Sequence, residues 1–273
     1  MHNVADSNLF SSCQVVVCDL DGTLYLDNTP FPGAVLFLER VLSSGRQLFY
    51  FTNNNSLSRT SWLDKLCRFG FPVDHNQLIT STDCAETYLK QNQIYPDIYL
   101  VGNTDLKNDF ESRGFNCLSE EEALDHSPQA VVLGFDTELS YEKINTCYQL
   151  ITRDIPYIAT HPDILCPVGK NRFKPDIGSF IALFESATQG RRPVVVGKPT
   201  RRAVITITEK AGVPVEHIAF IGDRLYTDIR MADNYGMVGI LVLSGETTEE
   251  MVSTSSDSPK IIVDSVEDLI NYI

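Results

Sequence analysis

The 273-residue chain is 43% apolar and 21% charged, an ordinary globular composition that excludes wholesale disorder, collagen and coiled coil; at roughly 100 to 200 residues per domain it argues for one large domain or two. Its 36 acidic against 22 basic residues give a formal charge of −14, which repels polyanions at long range and argues against a nucleic-acid partner. No apolar run approaches the ~20 residues that span a bilayer, the amino-terminal stretch lacks the basic-then-apolar pattern of an export signal, and seven cysteines without a Cys-x-x-Cys pair suit reduced thiols, so a cytoplasmic, membrane-free protein is expected.

In chain order, short runs rich in Val, Ile, Phe and Tyr alternate with segments of helical period, the rhythm of βα units and a parallel sheet. The first run, 14–18 (QVVVC), is too uniformly apolar for a strand with one wet face and is expected at the centre of a sheet covered on both sides. A helix is expected over 33–44, with Val35, Leu36, Leu38, Val41 and Leu42 on one stripe and Gly45 at its end. A strand over 48–51 and a helix over 58–69 follow. From about 81 to 180 the pattern reads as a separate unit, with strands at 98–101, 130–133 and 157–159 between helices at 82–93, 104–113 and 140–153. The last third resumes the first pattern, with strands at 194–196, 218–221, 239–243 and 261–263 and a helix over 200–211, while 253–259 reads as a surface loop. The expected division is therefore a core segment over 1–80, an inserted unit over 81–180 and a second core segment over 181–273.

Four of these runs end in polar groups: Asp19-Leu20-Asp21-Gly22-Thr23, Thr52-Asn53-Asn54, Gly197-Lys198-Pro199, and Gly222-Asp223-Arg224 with Asp228 five residues beyond Asp223. Ligands of open parallel sheets bind at the carboxyl ends of strands, so these tips are expected to converge. Each motif alone is an ordinary capped turn, because Asp, Asn and Gly favour turns for backbone reasons; four in succession, each directly after an apolar run, are hard to assign to turns. Four carboxylates in one pocket (Asp19, Asp21, Asp223, Asp228) cannot all stay ionised without a compensating cation. A divalent ion and the Lys198 ammonium offset three of those charges, and a proton held on one carboxylate offsets the last. Mg2+ suits carboxylates combined with water and substrate phosphate.

In such a site Asp19 is placed to attack phosphorus, forming an aspartyl phosphate. Asp21 is the candidate to give a proton to the leaving oxygen and later take one from water. Thr52 and the amides around Gly22 and Asn53 are candidates to bind phosphoryl oxygens, with Lys198 neutralising charge. Asp223 is the expected metal ligand, with Asp228 behind it orienting a bound water.

In combination these motifs resemble the haloacid dehalogenase superfamily, and the ~100-residue insertion between the second and third resembles its branch with the larger α/β cap, which includes 4-nitrophenyl phosphatases, phosphoglycolate phosphatases and nucleotide monophosphatases. The segments Gly134-Phe-Asp with Tyr141, and Ala159-Thr-His-Pro-Asp163, extend the likeness into the insertion. The resemblance implies an α/β fold with a Rossmann-like parallel-sheet core and an inserted smaller α/β cap domain. It also implies Asp19 as nucleophile, Asp21 as general acid and base, and Mg2+ held by Asp19, Asp223 and the Asp21 backbone carbonyl. It implies phosphate-ester chemistry rather than dehalogenation, phosphonate cleavage or ATP-driven transport, because the second motif position is Asp21. Pairing of caps in related proteins suggests a homodimer. His161 stands where many relatives have Asn, and Pro175-Asp176-Ile177-Gly178 replaces a more glycine-rich turn. His161 is thus a candidate substrate contact, although a lone histidine is more often structural; Asp163, Arg172 and Asp176 are weaker candidates, and Trp62 reads as core. The alternative is a phospho-receiver module that keeps its phosphate as a signal, for which a base at Asp21 has no use.

Overall fold

A computed structural model describes residues 7–167 and 172–273. By contacts the chain forms two units. The first comprises the chain up to Thr52, Trp62–Ile79 and Lys198–Ile273, and the second comprises Asn53–Ser61 and Thr80–Gly197.

The first unit is built on a six-stranded sheet in the order Ile261–Val263, Val238–Val242, Ile218–Gly222, Val15–Cys18, Gln47–Thr52, Leu78–Thr80. Val15 pairs with Ile218 on one side and with Gln47 on the other, both in parallel register. Every side chain of Val15–Cys18 is buried, the result of a run with no polar position placed between two neighbours and under helices. Helix Ala34–Ser43 buries Ala34, Phe37, Leu38 and Val41, spaced i, i+3, i+4 and i+7, which is the stripe that faces a core. The strand order reverses direction at Val15–Cys18: the chain moves to Gln47–Thr52 on one side and later returns on the other. A crevice opens at the carboxyl ends of strands where such a reversal occurs.

The second unit holds a five-stranded parallel sheet in the order Val194–Val195, Tyr157–Ala159, Ala130–Leu133, Asp97–Val101, Asn116–Cys117, and an antiparallel hairpin of Leu165–Pro167 with Phe173–Pro175. Its core includes Tyr99, Val131, Leu133, Phe135, Leu150, Tyr157 and Phe184. Asp83 caps helix Ser81–Gln91 through the Thr80 amide (2.7 Å) and pairs with both Arg59 and Arg113.

Four expectations change. Of the stripe expected on the 33–44 helix, Leu36 is exposed and Val35 and Leu42 are half-buried, while Phe37 takes a place in the core. The 194–196 run is not a strand of the first sheet: Val194 pairs with Ile158 and Val195 with Ala159 in the second. Apolar pattern identifies a strand but not its partner, which is a long-range choice. The boundary expected at 180 accordingly moves to Gly197, and helix Ile177–Ala187 belongs to the second unit, as does the short 53–61 segment. Helix Glu249–Thr254 also takes the first two residues of the expected 253–259 loop. No disulfide is present, and no helix is long and apolar enough to cross a membrane, among the described residues.

Candidate active site

Asp19 follows directly on Val15–Cys18, its amide anchored to the Ile221 carbonyl of the neighbouring strand (2.8 Å). Thr52 ends Gln47–Thr52 and Asp223 follows Ile218–Gly222, so three adjacent tips of one sheet carry two carboxylates and a hydroxyl. Lys198 joins them without a strand of its own in that sheet. Its ammonium donates to Asp19 Oδ1, to Asp228 Oδ1 (2.8 Å) and to the Phe51 carbonyl (3.3 Å). Oxygens of Asp19, Asp223 and Asp228 all lie within 4.8 Å of one another. Asp228 belongs to this carboxylate cluster, and it also accepts from the Arg224 amide (3.3 Å).

The electrostatics follow from burial. Burial pulls the Lys198 ammonium towards neutrality, but the charges of Asp19 and Asp228 outweigh it and raise its pKa. Burial raises Asp228 to about 6 against the opposing pull of Lys198, with Asp19 adding to the rise. Asp223 is pushed well above the ordinary carboxylate range by burial and then by Asp19. Its Oδ1 is buried and has no hydrogen-bond partner among the described residues. An orphaned carboxylate oxygen facing two further carboxylates is a donor set made for a hard divalent cation.

Asp21 is set apart from that triple. Its Oδ2 accepts from the Tyr25 hydroxyl (3.0 Å), and Tyr25 carries the Lys65 ammonium over its ring at 4.2 Å from the centroid. Burial raises the Asp21 pKa, opposed first by Lys65 and reinforced by Asp19. The two carboxyls of the first motif thus sit in different surroundings, Asp21 on a tyrosine hydroxyl and Asp19 on the Lys198 ammonium.

Two comparisons decide the family. Residues 16–116 match the haloacid dehalogenase-like hydrolase model, and residues 195–269 a HAD-hydrolase-like model. The structure of a 4-nitrophenylphosphatase from Thermotoga maritima is 36% identical across 96% of this chain and 98% of that one, with a TM-score of 0.89. The chain belongs to the haloacid dehalogenase-like hydrolases. Glycerol-3-phosphate phosphatase of Rattus norvegicus is 28% identical over 96% of this chain and 91% of its own. Glycerol phosphate phosphatase of Mycobacterium tuberculosis, solved in complex with calcium, is 25% identical over 96% of this chain and 76% of its own, with a TM-score of 0.84. Within its family this chain is a phosphoric monoester hydrolase.

Other expected residues of this haloacid dehalogenase-like hydrolase take different parts. The amide of Gly22 closes a turn on the Tyr25 carbonyl (2.8 Å). Gly22 also allows close packing: at φ +86° a Cβ there would lie 2.4 Å from Asp223 Oδ2. In the second unit the Asn53 side chain donates to Asp163 (3.1 Å), and Asn54 Oδ1 accepts from the Ser56 amide (3.0 Å) and hydroxyl (2.8 Å), a local turn of the kind Asn favours. His161 is fully buried, with Nδ1 3.8 Å from Asp163 and Nε2 3.7 Å from Asp176. Asp176 caps helix Ile177–Ala187 through the Ile177 amide (2.7 Å), Arg172 is exposed, and Trp62 is buried as core.

Sequence reasoning passes over Tyr25 and the 244–246 turn. The second had a signal: Ser244-Gly245-Glu246 follows the 239–243 run just as the other polar groups follow theirs.

Replacing Lys198 with Met is expected to destabilise the fold by about 3–5 kcal/mol, the usual result of removing one partner from buried ion pairs, since Lys198 is 2% exposed. Urea unfolding without metal measures it; an unchanged midpoint would show that the cluster does not depend on this ammonium.

Proposed function

We propose that this hydrolase is a Mg2+-dependent phosphomonoesterase that cleaves a small phosphorylated metabolite through an aspartyl phosphate on Asp19. One observation carries the reading: three carboxylates lie within 4.8 Å of one another, the buried Lys198 ammonium pairs with Asp19 and Asp228, and one Asp223 oxygen has no hydrogen-bond partner among the described residues. Asp19, Asp223 and Asp228, with the backbone carbonyl of Asp21, would hold Mg2+, which supplies positive charge to the phosphoryl oxygens and the nucleophile.

The chain's own residues account for the remaining steps. Asp19, kept in place by Lys198, attacks phosphorus as the bond to the leaving oxygen breaks. Asp21 delivers its proton to that oxygen, which then departs as an alcohol. The same carboxylate next removes a proton from the water that hydrolyses the aspartyl phosphate, returning Asp19 as a carboxylate and releasing inorganic phosphate. Thr52, buried at the tip of its strand, holds a phosphoryl oxygen. The relatives named for glycerol phosphates and 4-nitrophenyl phosphate make alkyl and aryl monoesters the substrates to assay first. A cytoplasmic location belongs to the same reading and is supported by the absence of disulfides among the described residues.

With 4-nitrophenyl phosphate the wild-type chain is expected to turn over many times in Mg2+. Chelation is expected to slow it by at least about 10²-fold, reversibly, since a metal contributes several kcal/mol to such a transition state. A rate indifferent to chelator would remove the metal from the reading.

A further inference from the structure

We propose that the 244–246 turn is a clamp that presents Asp223 to the cation, and that Gly245 and Ser244 are positioning residues setting the affinity of the site. The inference rests on the metal-dependent reading above and concerns residues outside its motifs.

The turn follows strand Val238–Val242, two places from Val15–Cys18 in the sheet, and packs against Asp223, as Gly22 does. Three contacts define it. The Glu246 amide donates to Asp223 Oδ2 (2.7 Å), and the Ser244 hydroxyl donates to the Gly22 carbonyl (2.8 Å). A Cβ on Gly245 would lie 2.1 Å from Asp223 Oδ2 and 2.5 Å from its Cγ. The Asp223 carboxyl therefore packs against two glycine positions at which a Cβ would displace it, and the Ser244 hydroxyl links the turn to the second of them, Gly22. Both constraints act on Oδ2, and Oδ1 is the oxygen left buried without a partner. An amide hydrogen bond to one oxygen fixes the rotation of a carboxyl group and so determines where the other points, as outer groups do around metal ligands.

The side chain of Glu246 secures the turn in its turn. Arg224 Nε pairs with Glu246 Oε2 (3.0 Å), and the Tyr226 hydroxyl donates to Oε1 (2.9 Å). Gly245 itself is exposed, whereas Asp223 is buried.

The test is calorimetric titration of the full-length chain with MgCl2 alone, without substrate. Gly245→Ala is expected to weaken Mg2+ binding at least tenfold, because the added carbon must push Asp223 out of place. Ser244→Ala is expected to weaken it several-fold and Ser244→Thr to restore it, a rescue that general loosening of the fold would not produce. If Gly245→Ala does not fold, the serine pair decides. Wild-type affinity in Gly245→Ala, or in Ser244→Ala, overturns the clamp while leaving the metal-dependent reading intact. Failure of the wild type to bind Mg2+ overturns both.

Discussion

Asp19→Asn is expected to lower kcat for 4-nitrophenyl phosphate by about 10⁴-fold or more, with no phosphoenzyme trapped on acid quench, as when a covalent nucleophile is removed from an enzyme whose groups act as a unit. The substitution preserves shape and retains an oxygen able to accept from Lys198, which keeps its second partner, Asp228, at 2.8 Å. It removes one of the like charges that raise Asp223 and Asp228 along with one of the two charges that support Lys198, effects of opposite sign, so the metal-free protein should keep its fold. Lost activity with a retained fold therefore isolates the nucleophile. Rapid-quench measurement and denaturant melts check both halves. A variant that still turns over at more than a hundredth of the wild-type rate would move the attack to water or to another residue.

Asp21→Asn is expected to divide substrates by their leaving group. An alkyl phosphate needs a proton on the departing oxygen, and loss of a general acid costs about 10²–10⁴-fold. Nitrophenolate departs without one, so its first step should slow by less than about tenfold, on the same general-acid argument. The second step loses its base with either substrate, so phosphoenzyme should accumulate: a burst of nitrophenolate stoichiometric with enzyme, then a slow steady state. Single-turnover and pre-steady-state traces on the two esters give the comparison. Equal losses on both in the first step would remove Asp21 as the acid. The Tyr25 hydroxyl on Asp21 Oδ2 keeps the carboxyl oriented and should hold the Asn side chain in the same place.

The residues at which sequence and structure agree are those whose chemistry is local. Asp19, Thr52 and Asp223 each follow directly on a run whose composition makes it a buried strand, and a strand end is a place the chain pattern marks. The parallel sheet, the presence of helix Ala34–Ser43 and the buried, central place of Val15–Cys18 are legible for the same reason: period and punctuation describe a single element from within. Asn54 belongs to this class as well, although there the turn reading holds for its side-chain oxygen.

What misled was pairing. The 194–196 run has the composition of a strand in either sheet, and only its register with Ile158 and Ala159 decides which. Asp228 lies five residues past Asp223 in sequence, yet the π-helical turn Leu225–Ile229 brings its carboxyl back beside Asp19 and Lys198. Glu246 and Ser244 reach Asp223 and Gly22 across 23 and 222 residues of chain.

The amino-acid order by itself therefore determined the inventory: strands, stripes, acidic tips and one lysine, because each is written in the spacing of neighbours. The tertiary structure decided the assignments. It selected which strand joins which sheet, which carboxylates share Lys198, and which Asp223 oxygen is held and which is buried with no hydrogen-bond partner among the described residues. Those choices depend on distances between residues far apart in the chain, and such distances exist only once packing has brought the segments together.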